Sequence, residues 1–315
     1  CTRRALGRGT SQQLDASELN LPAYEQENAA MVRASCWQLL LWTWVREAWS
    51  HPRVRVRPGC DLTDAAFLSS GDAHIRVALS SFPGSGNTWA RILLEKSTGK
   101  RTGSEYFDKK LVSAGLVGEG SAHLNDTICF KTHWPVIQGP EPRFERVIVV
   151  LRHPANASLS YAAYSLSQTM SHDNDVGEAQ MREHMASSSL PSLDNQWHYY
   201  LWIYEMYAKA WLERVRRLGE RALLVRYEDL RADCPSELQR MVKFLGENVP
   251  AEQLACACET ASLESTHRRP RPYGPRDVLT AADERRLVEL RPWLQQLGYS
   301  ASLENSDGQA ARGEL

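Results

Sequence analysis

Short runs of consecutive apolar residues alternate along this chain with longer stretches whose apolar positions recur every three or four residues. "IRVALSSF" (75–82), "TICFK" (127–131), "RVIVVL" (146–151) and "ALLVRY" (222–227) are runs of the first kind. They have the length and composition of strands buried on both faces of a parallel sheet. The longer period predicts helices over 87–98, 154–167, 195–218, 235–246 and 281–297. Pro154 suits the first helical position, and Pro235 and Gly246 punctuate the start and end of another helix. Crossovers of this length require parallel strands. The alternation therefore predicts an α/β protein with a three-layer P-loop-like fold, a central parallel sheet flanked by helices. There is no internal repeat. Residues 1–33 read as an irregular or disordered segment, 34–303 as the folded domain and 304–315 as a disordered tail.

Two segments stand apart from that alternation. Residues 167–195 are polar, serine-rich and too long for a plain connection, so they read either as a lid or as disorder. "CWQLLLWTWV" (36–45) is the most apolar stretch, yet about half the length of a membrane span, and is expected to pack as a helix rather than to anchor. The chain starts at Cys1 and not at Met, so its N-terminus reads as trimmed or not captured, which leaves room for a lost signal or anchor. With 43% apolar and 24% charged residues the composition is that of an ordinary globular domain, and a net charge of −1 argues against a nucleic-acid partner. The seven cysteines are odd in number and scattered, and Cys256-Ala-Cys258 lacks zinc-ligand spacing, so they read as mostly reduced thiols. Two glycosylation sequons occur, at Asn125 and Asn156.

The chemistry concentrates at the ends of the predicted strands. After the first comes "FPGSGNTW", a glycine-rich turn opening a helix, where unpaired N–H groups and the helix dipole favour an anion. The nucleoside-triphosphate form of this loop, G-x-x-x-x-G-K-S/T, needs a lysine where this chain has Asn87. The third strand ends in Arg152, where a magnesium-dependent triphosphatase would carry aspartate. An arginine aimed into that crevice takes an oxyanion directly. Ser160, eight residues on, shares the site only if its helix folds back past Arg152. The second strand runs into "FKTHWP", placing Lys131 and His133 at its carboxyl end, where open parallel sheets bind ligands.

Together "FPGSGNTWARILLE", "FKTHWP", "VLRHPANASLSY", "VRYEDLRADCPSELQRMVKFLG" and "HRRPRPYGPRDVLT" resemble the sulfotransferases that use 3′-phosphoadenosine-5′-phosphosulfate (PAPS). The first block is most similar to Golgi-type members that carry WSC domains, and "KTHWP" and "YEDL" also match the cytosolic branch. The resemblance implies that Gly84, Ser85, Gly86, Asn87 and Thr88 hold the 5′-phosphosulfate and that Trp89 stacks on adenine, which Tyr227 borders. It implies that Arg152 and Ser160 hold the 3′-phosphate, that Arg268 and Arg269 close over it, and that His133 is the catalytic base with Lys131 beside it. PAPS is then the donor, 3′,5′-bisphosphoadenosine (PAP) the product, and no metal is needed. The cytosolic branch has a lysine at the position of Gly84; Lys131 and, second, Arg91 are the candidates to replace it.

A nucleotide-type kinase and a non-catalytic nucleotide-binding module are the competing classes. The acceptor, a small molecule or a glycan, is expected against 103–125, 167–195 and the segment before Ile75, and the aromatic stretch 197–211 fits either a sugar or phenol site or core. The resemblance favours the Golgi lumen, whereas reduced cysteines would allow the cytoplasm.

Overall fold

The computed structural model describes residues 60, 62, 64–69, 75–137, 141–167, 176–188, 195–264, 273–299, 301 and 303. The segments 1–33, 36–45 and 304–315, the domain boundaries expected beside them, and Arg268 and Arg269 lie outside the described residues.

Five parallel strands form the central sheet in the order β2-β3-β1-β4-β5. They are β1 (Val77–Ser81), β2 (Gly103–Ser104), β3 (Phe130–Thr132), β4 (Arg146–Leu151) and β5 (Ala222–Arg226). Strand alternation divides their side chains between two cores. Ala78, Phe130, Val147, Val149 and Leu151 face one side, with Trp197, Tyr204, Tyr207 and Trp211 of the long helix α5 (Gln196–Leu218). Val77, Leu79, Ile148, Val150 and Val225 face the other, with Leu93 and Leu94 of α1 (Asn87–Thr98). Leu238 and Met241 of α7 (Cys234–Phe244) and Leu254 of α8 (Ala251–Glu264) complete that second core. Both faces are thus covered, the condition under which an all-parallel sheet is stable. The other helices are α2 (Lys109–Ser113), α3 (Pro154–Ser167), α4 (Glu178–Ala186), α6 (Tyr227–Ala232), α9 (Pro275–Val278), α10 (Ala281–Glu289) and α11 (Arg291–Gln296).

From β1 the chain passes to the edge strand β2, returns inward to β3 beside β1, then crosses to β4 on the other side of β1. That reversal opens a crevice at the carboxyl end of β1, the switch point where such sheets bind ligands. The turns after β1, β3 and β4 all enter it.

Several elements differ from expectation. The helix foreseen over 281–297 breaks at Leu290, because Pro292 cannot supply the N–H that would continue it. The strand foreseen at 127–131 begins only at Phe130, since Thr127 turns its hydroxyl onto the His123 carbonyl. Within 167–195, residues 178–186 form α4, packed through Met181 and Met185. The rest of that segment, apart from 167, 176–177, 187–188 and 195, lies outside the described residues.

The cysteine reading is corrected outright: Cys60 is bonded to Cys256 and Cys234 to Cys258, with Cα separations of 5.5 and 6.0 Å. Residues two apart on a helix point about 200° away from each other. Cys256 and Cys258 of α8 therefore reach two different partners, which their close spacing in sequence conceals. Cys129 is a free, buried thiol. Peptide mapping under non-reducing conditions should recover both linkages. Cys234→Ser, which opens a loop of 24 residues, should cost about 2–4 kcal/mol in denaturant titration; unchanged stability would mean the bond is not formed in solution.

Candidate active site

The cradle turn is shaped by what packs against it. Gly84 has φ +81°, and a Cβ there would lie 2.7 Å from the Ala157 carbonyl oxygen and 2.7 Å from Ser160 Cβ, both on α3. Gly86, with φ +92°, caps α1, and a Cβ on it would meet the Tyr227 ring at 2.5 Å. These are left-handed conformations held under close contact, the circumstance that demands glycine. The residue missing at Gly84, relative to the lysine of the cytosolic branch, is thus explained by the approach of α3.

Arg152, just past β4, lies across this turn. Its Nη1 donates to the Gly84 carbonyl at 2.7 Å and to Ser160 Oγ at 2.9 Å. Helix α3 does fold back past Arg152, and the two residues spaced eight apart meet at the cradle. The guanidinium sits 4.5 Å from the centroid of the Tyr227 ring, and Tyr227 meets Trp89 edge-on at 5.6 Å. Tyr204 of α5 donates to the Arg152 carbonyl at 2.7 Å. Behind it, buried Glu228 accepts from the His153 N–H at 2.9 Å and from the Tyr299 hydroxyl at 2.8 Å. Trp89 is buried in the second core, with Tyr227 against its ring.

Three buried polar atoms of the crevice have no hydrogen-bond partner: Ser85 Oγ, Asn87 Oδ1 and Arg152 Nε. Buried polar groups are ordinarily satisfied. Two of these can donate, and together with the N–H groups that open α1 they fit the charged oxygens of a phosphate ligand. Asn87 uses its other atom to tie the site together, Nδ2 donating to the Leu79 carbonyl at 3.0 Å and to Ser81 Oγ at 3.1 Å.

Ser81 leads on to His133. Its carbonyl lies 2.8 Å from His133 Nδ1 and its Oγ 3.3 Å from the same atom. A carbonyl can only accept, so Nδ1 carries the proton and Nε2 has the basic lone pair. Tyr106, after the two-residue strand β2, holds the histidine from the other side. Its hydroxyl accepts the His133 backbone N–H at 2.8 Å, and its ring stacks on the imidazole at 5.5 Å and 15°. Lys131 Nζ lies 5.8 Å from the centre of that ring. Burial, reinforced by Arg91 and opposed by Glu119 and Asp108, lowers the Lys131 amine to about 8. Half-buried Glu105 neighbours them, its carboxyl raised above the usual range by burial.

Arg91 is not available to a ligand. It is fully buried, ion-paired with buried Glu119, and donates to Thr102 Oγ1 at 2.8 Å. Of the two cations considered for the lysine missing at Gly84, only Lys131 remains. Ser81, Tyr106 and Glu105 were not singled out from sequence. The strand that positions the last two is too short to register as a periodic pattern, and Ser81 reads as an ordinary strand residue.

Along α5, Trp197, Tyr200, Tyr204, Tyr207 and Trp211 are core, while Trp202 is 50% exposed. Asn156 is buried on α3, and Asn125 is exposed in a bend.

A P-loop-like sheet with an arginine, not a carboxylate, at the end of β4 presents an anion-binding crevice. Residues 74–272 match the Sulfotransferase domain family, and the chain belongs to it. A WSCD family member of Aedes aegypti is 33% identical over 226 residues, 69% of this chain and 66% of that protein. A WSCD family member of Drosophila melanogaster is 39% identical over 84 residues, 27% of this chain and 26% of that one. The matches thus span less than two thirds of these relatives. Among solved structures, mouse sulfotransferase SULT7A1 complexed with PAP is similar at a TM-score of 0.41 and 14% identity, over 70% of this chain and 84% of that one. Retinol dehydratase in a complex with retinol and PAP is similar at 0.40 and 16%, over 70% and 80%.

The packing around Gly84 makes a sharp prediction. Gly84→Ala should lower the melting temperature, by about 1–3 kcal/mol of stability for the strained backbone alone, and Gly84→Lys should not supply a working cation because its side chain begins inside α3. A Gly84→Lys protein of unchanged melting temperature would show that α3 does not press on the turn.

Proposed function

We propose that this domain transfers the sulfuryl group of PAPS to a hydroxyl or amine of a small-molecule or glycan acceptor, without a metal, in the lumen of the Golgi. One observation carries the reading: Arg152, bridging the cradle at Gly84 and Ser160, presents a guanidinium where a magnesium-dependent kinase would need a carboxylate. Such a cation suits a second phosphate on the donor's ribose, and the resemblance assigns Arg152 and Ser160 to the 3′-phosphate. Gly84, Ser85, Gly86, Asn87 and Thr88 would then take the 5′-phosphosulfate, Trp89 and Tyr227 the adenine, and Arg268 and Arg269 the outer side of the 3′-phosphate. Among the described residues no three His, Cys, Asp or Glu stand together to hold a metal. The two disulfides support an oxidising compartment.

The geometry supports the following chemistry. With Nδ1–H fixed on the Ser81 carbonyl, Nε2 of His133 takes the acceptor proton as the acceptor oxygen or nitrogen bonds to sulfur. The sulfur–oxygen bond to the 5′-phosphate breaks, and its electron pair leaves on PAP. Lys131, when protonated, offsets the charge developing on that oxygen. Asn87 and Ser81 link the cradle to His133, so donor and base are held by one set of hydrogen bonds. Tyr106, stacked on the imidazole, and Phe107, its 60% exposed neighbour in the chain, are the residues we assign to the border of the acceptor.

The direct test is incubation with labelled PAPS and a panel of glycans, phenols, steroids and peptides, with and without EDTA. Transfer should survive EDTA, and His133→Ala should reduce it about 10²–10⁴-fold. PAP should raise the melting temperature more than AMP or ATP, and Arg152→Ala should abolish the difference. A second reading, a nucleotide-binding module without chemistry, draws on Gly84; a PAP shift with no transfer to any acceptor would favour it, and equal shifts with AMP would remove the 3′-phosphate assignment from both.

The Lys131 amine gives a pH dependence with a definite sign. Its cation is present below about 8 and lost above. The transfer rate should therefore fall as pH rises through about 8, and Lys131→Arg, charged throughout, should flatten that limb. If the limb persists unchanged in the arginine variant, another group titrates there and Lys131 is not the leaving-group cation.

A further inference from the structure

At the amino ends of β4 and β5, on the opposite side of the sheet from the cradle, a groove of about 400 Å³ runs between residues 141–144, the last turns of α5 and the turn Gly219–Arg221. Four guanidiniums line it, those of Arg143, Arg214, Arg217 and Arg221, against one carboxylate, Glu141. Such a concentration is not a consequence of general basicity, since the chain carries a net charge of −1. It is also poorly neutralised. Glu141 Oε1 accepts from Nε and Nη2 of Arg214 at 3.0 and 2.8 Å, and so is committed to that residue. Among the described residues Arg217 pairs only with the exposed Glu213, at 3.7 Å. Among the described residues no carboxylate stands within 4 Å of Arg143 or Arg221, both of them exposed. Like charges gathered this way oppose folding unless they face an anion.

The groove is more than a charged surface. Phe144 and Leu218 give it an apolar floor. Arg214 is held rigid, 4.1 Å from the Trp134 ring centroid and 5.7 Å from that of Trp211, with Nη1 on the Ala210 carbonyl at 2.9 Å. All four cations are arginine and none is lysine. Guanidinium forks match the planar pairs of oxygens on carboxylate and sulfate groups, while an apolar floor accepts the less polar faces of sugar rings.

We propose that this groove binds an acidic polysaccharide chain through its carboxylate or sulfate groups, at a site separate from the donor crevice. A chain fits a groove recessed between two segments better than a bilayer does, because a flat membrane reaches only what projects. The inference stands whether or not the crevice transfers sulfuryl groups.

The test is fluorescence anisotropy of a labelled heparin fragment titrated with the full chain at physiological salt, in the absence of PAP. Arg143→Glu combined with Arg221→Glu should weaken binding at least about tenfold, with the melting temperature unchanged because both side chains are exposed. Lys243→Glu with Arg285→Glu makes the same change of charge on α7 and α10, outside the expected acceptor segments, and should weaken it far less. Equal losses in the two double variants, or no loss in the first, would overturn the proposal. So would complete displacement of the heparin by millimolar inorganic sulfate, which would make this a free-anion site, or tighter binding to phosphatidylserine vesicles than to heparin, which would make it a lipid-facing one.

Discussion

The architecture of the crevice depends on one close approach, that of α3 to the turn after β1. The backbone of Ala157 and the Cβ of Ser160 press against Gly84. The Arg152 guanidinium then closes the gap, with the Gly84 carbonyl on one side and Ser160 on the other. A side chain at Gly84 would push the two apart and remove Arg152 from the cradle. The same contact that excludes a lysine at Gly84 therefore installs the arginine.

Around that contact the charges are divided between structure and site. Arg91 and Glu119, both fully buried, neutralise one another beneath α1 and hold Thr102 at the start of β2. Breaking such a pair leaves a lone buried charge, which costs far more than the pair contributes. Lys131 has no such partner at ion-pair distance among the described residues, and burial lowers its amine to about 8. A cation that is costly to keep charged interacts strongly with negative charge brought beside it. Arg152 is fixed by hydrogen bonds to the Gly84 carbonyl and Ser160, while Lys131 responds to what the crevice contains.

The strands, the glycine-rich turn and the spacing of Arg152 and Ser160 were all legible in the chain itself, because each is a local pattern. An apolar run of six residues can only be a buried element, and Pro154 marks where the next helix starts. The misreadings were non-local. Cys256 and Cys258 looked unpaired because their partners lie 196 and 24 residues away in sequence. Arg91 looked available because its carboxylate, Glu119, is 28 residues off and beyond a two-residue strand.

What the sequence by itself determined is the order of elements and the kinds of group at their ends: a cradle of small residues, a lysine and a histidine, then an arginine with a serine eight residues on. Periodicity and turn chemistry act within a few residues, so they can be read without a fold. Only the tertiary structure decided which of these groups meet. The reversal of strand order about β1 brings the ends of β1, β3 and β4 into one crevice. Packing then settles the rest: Trp89 goes into the core, Tyr106 comes from a strand with no visible pattern to hold His133, and Asn87 reaches the histidine through Ser81. Contacts of that kind depend on distances between elements far apart in the chain, which no local pattern encodes.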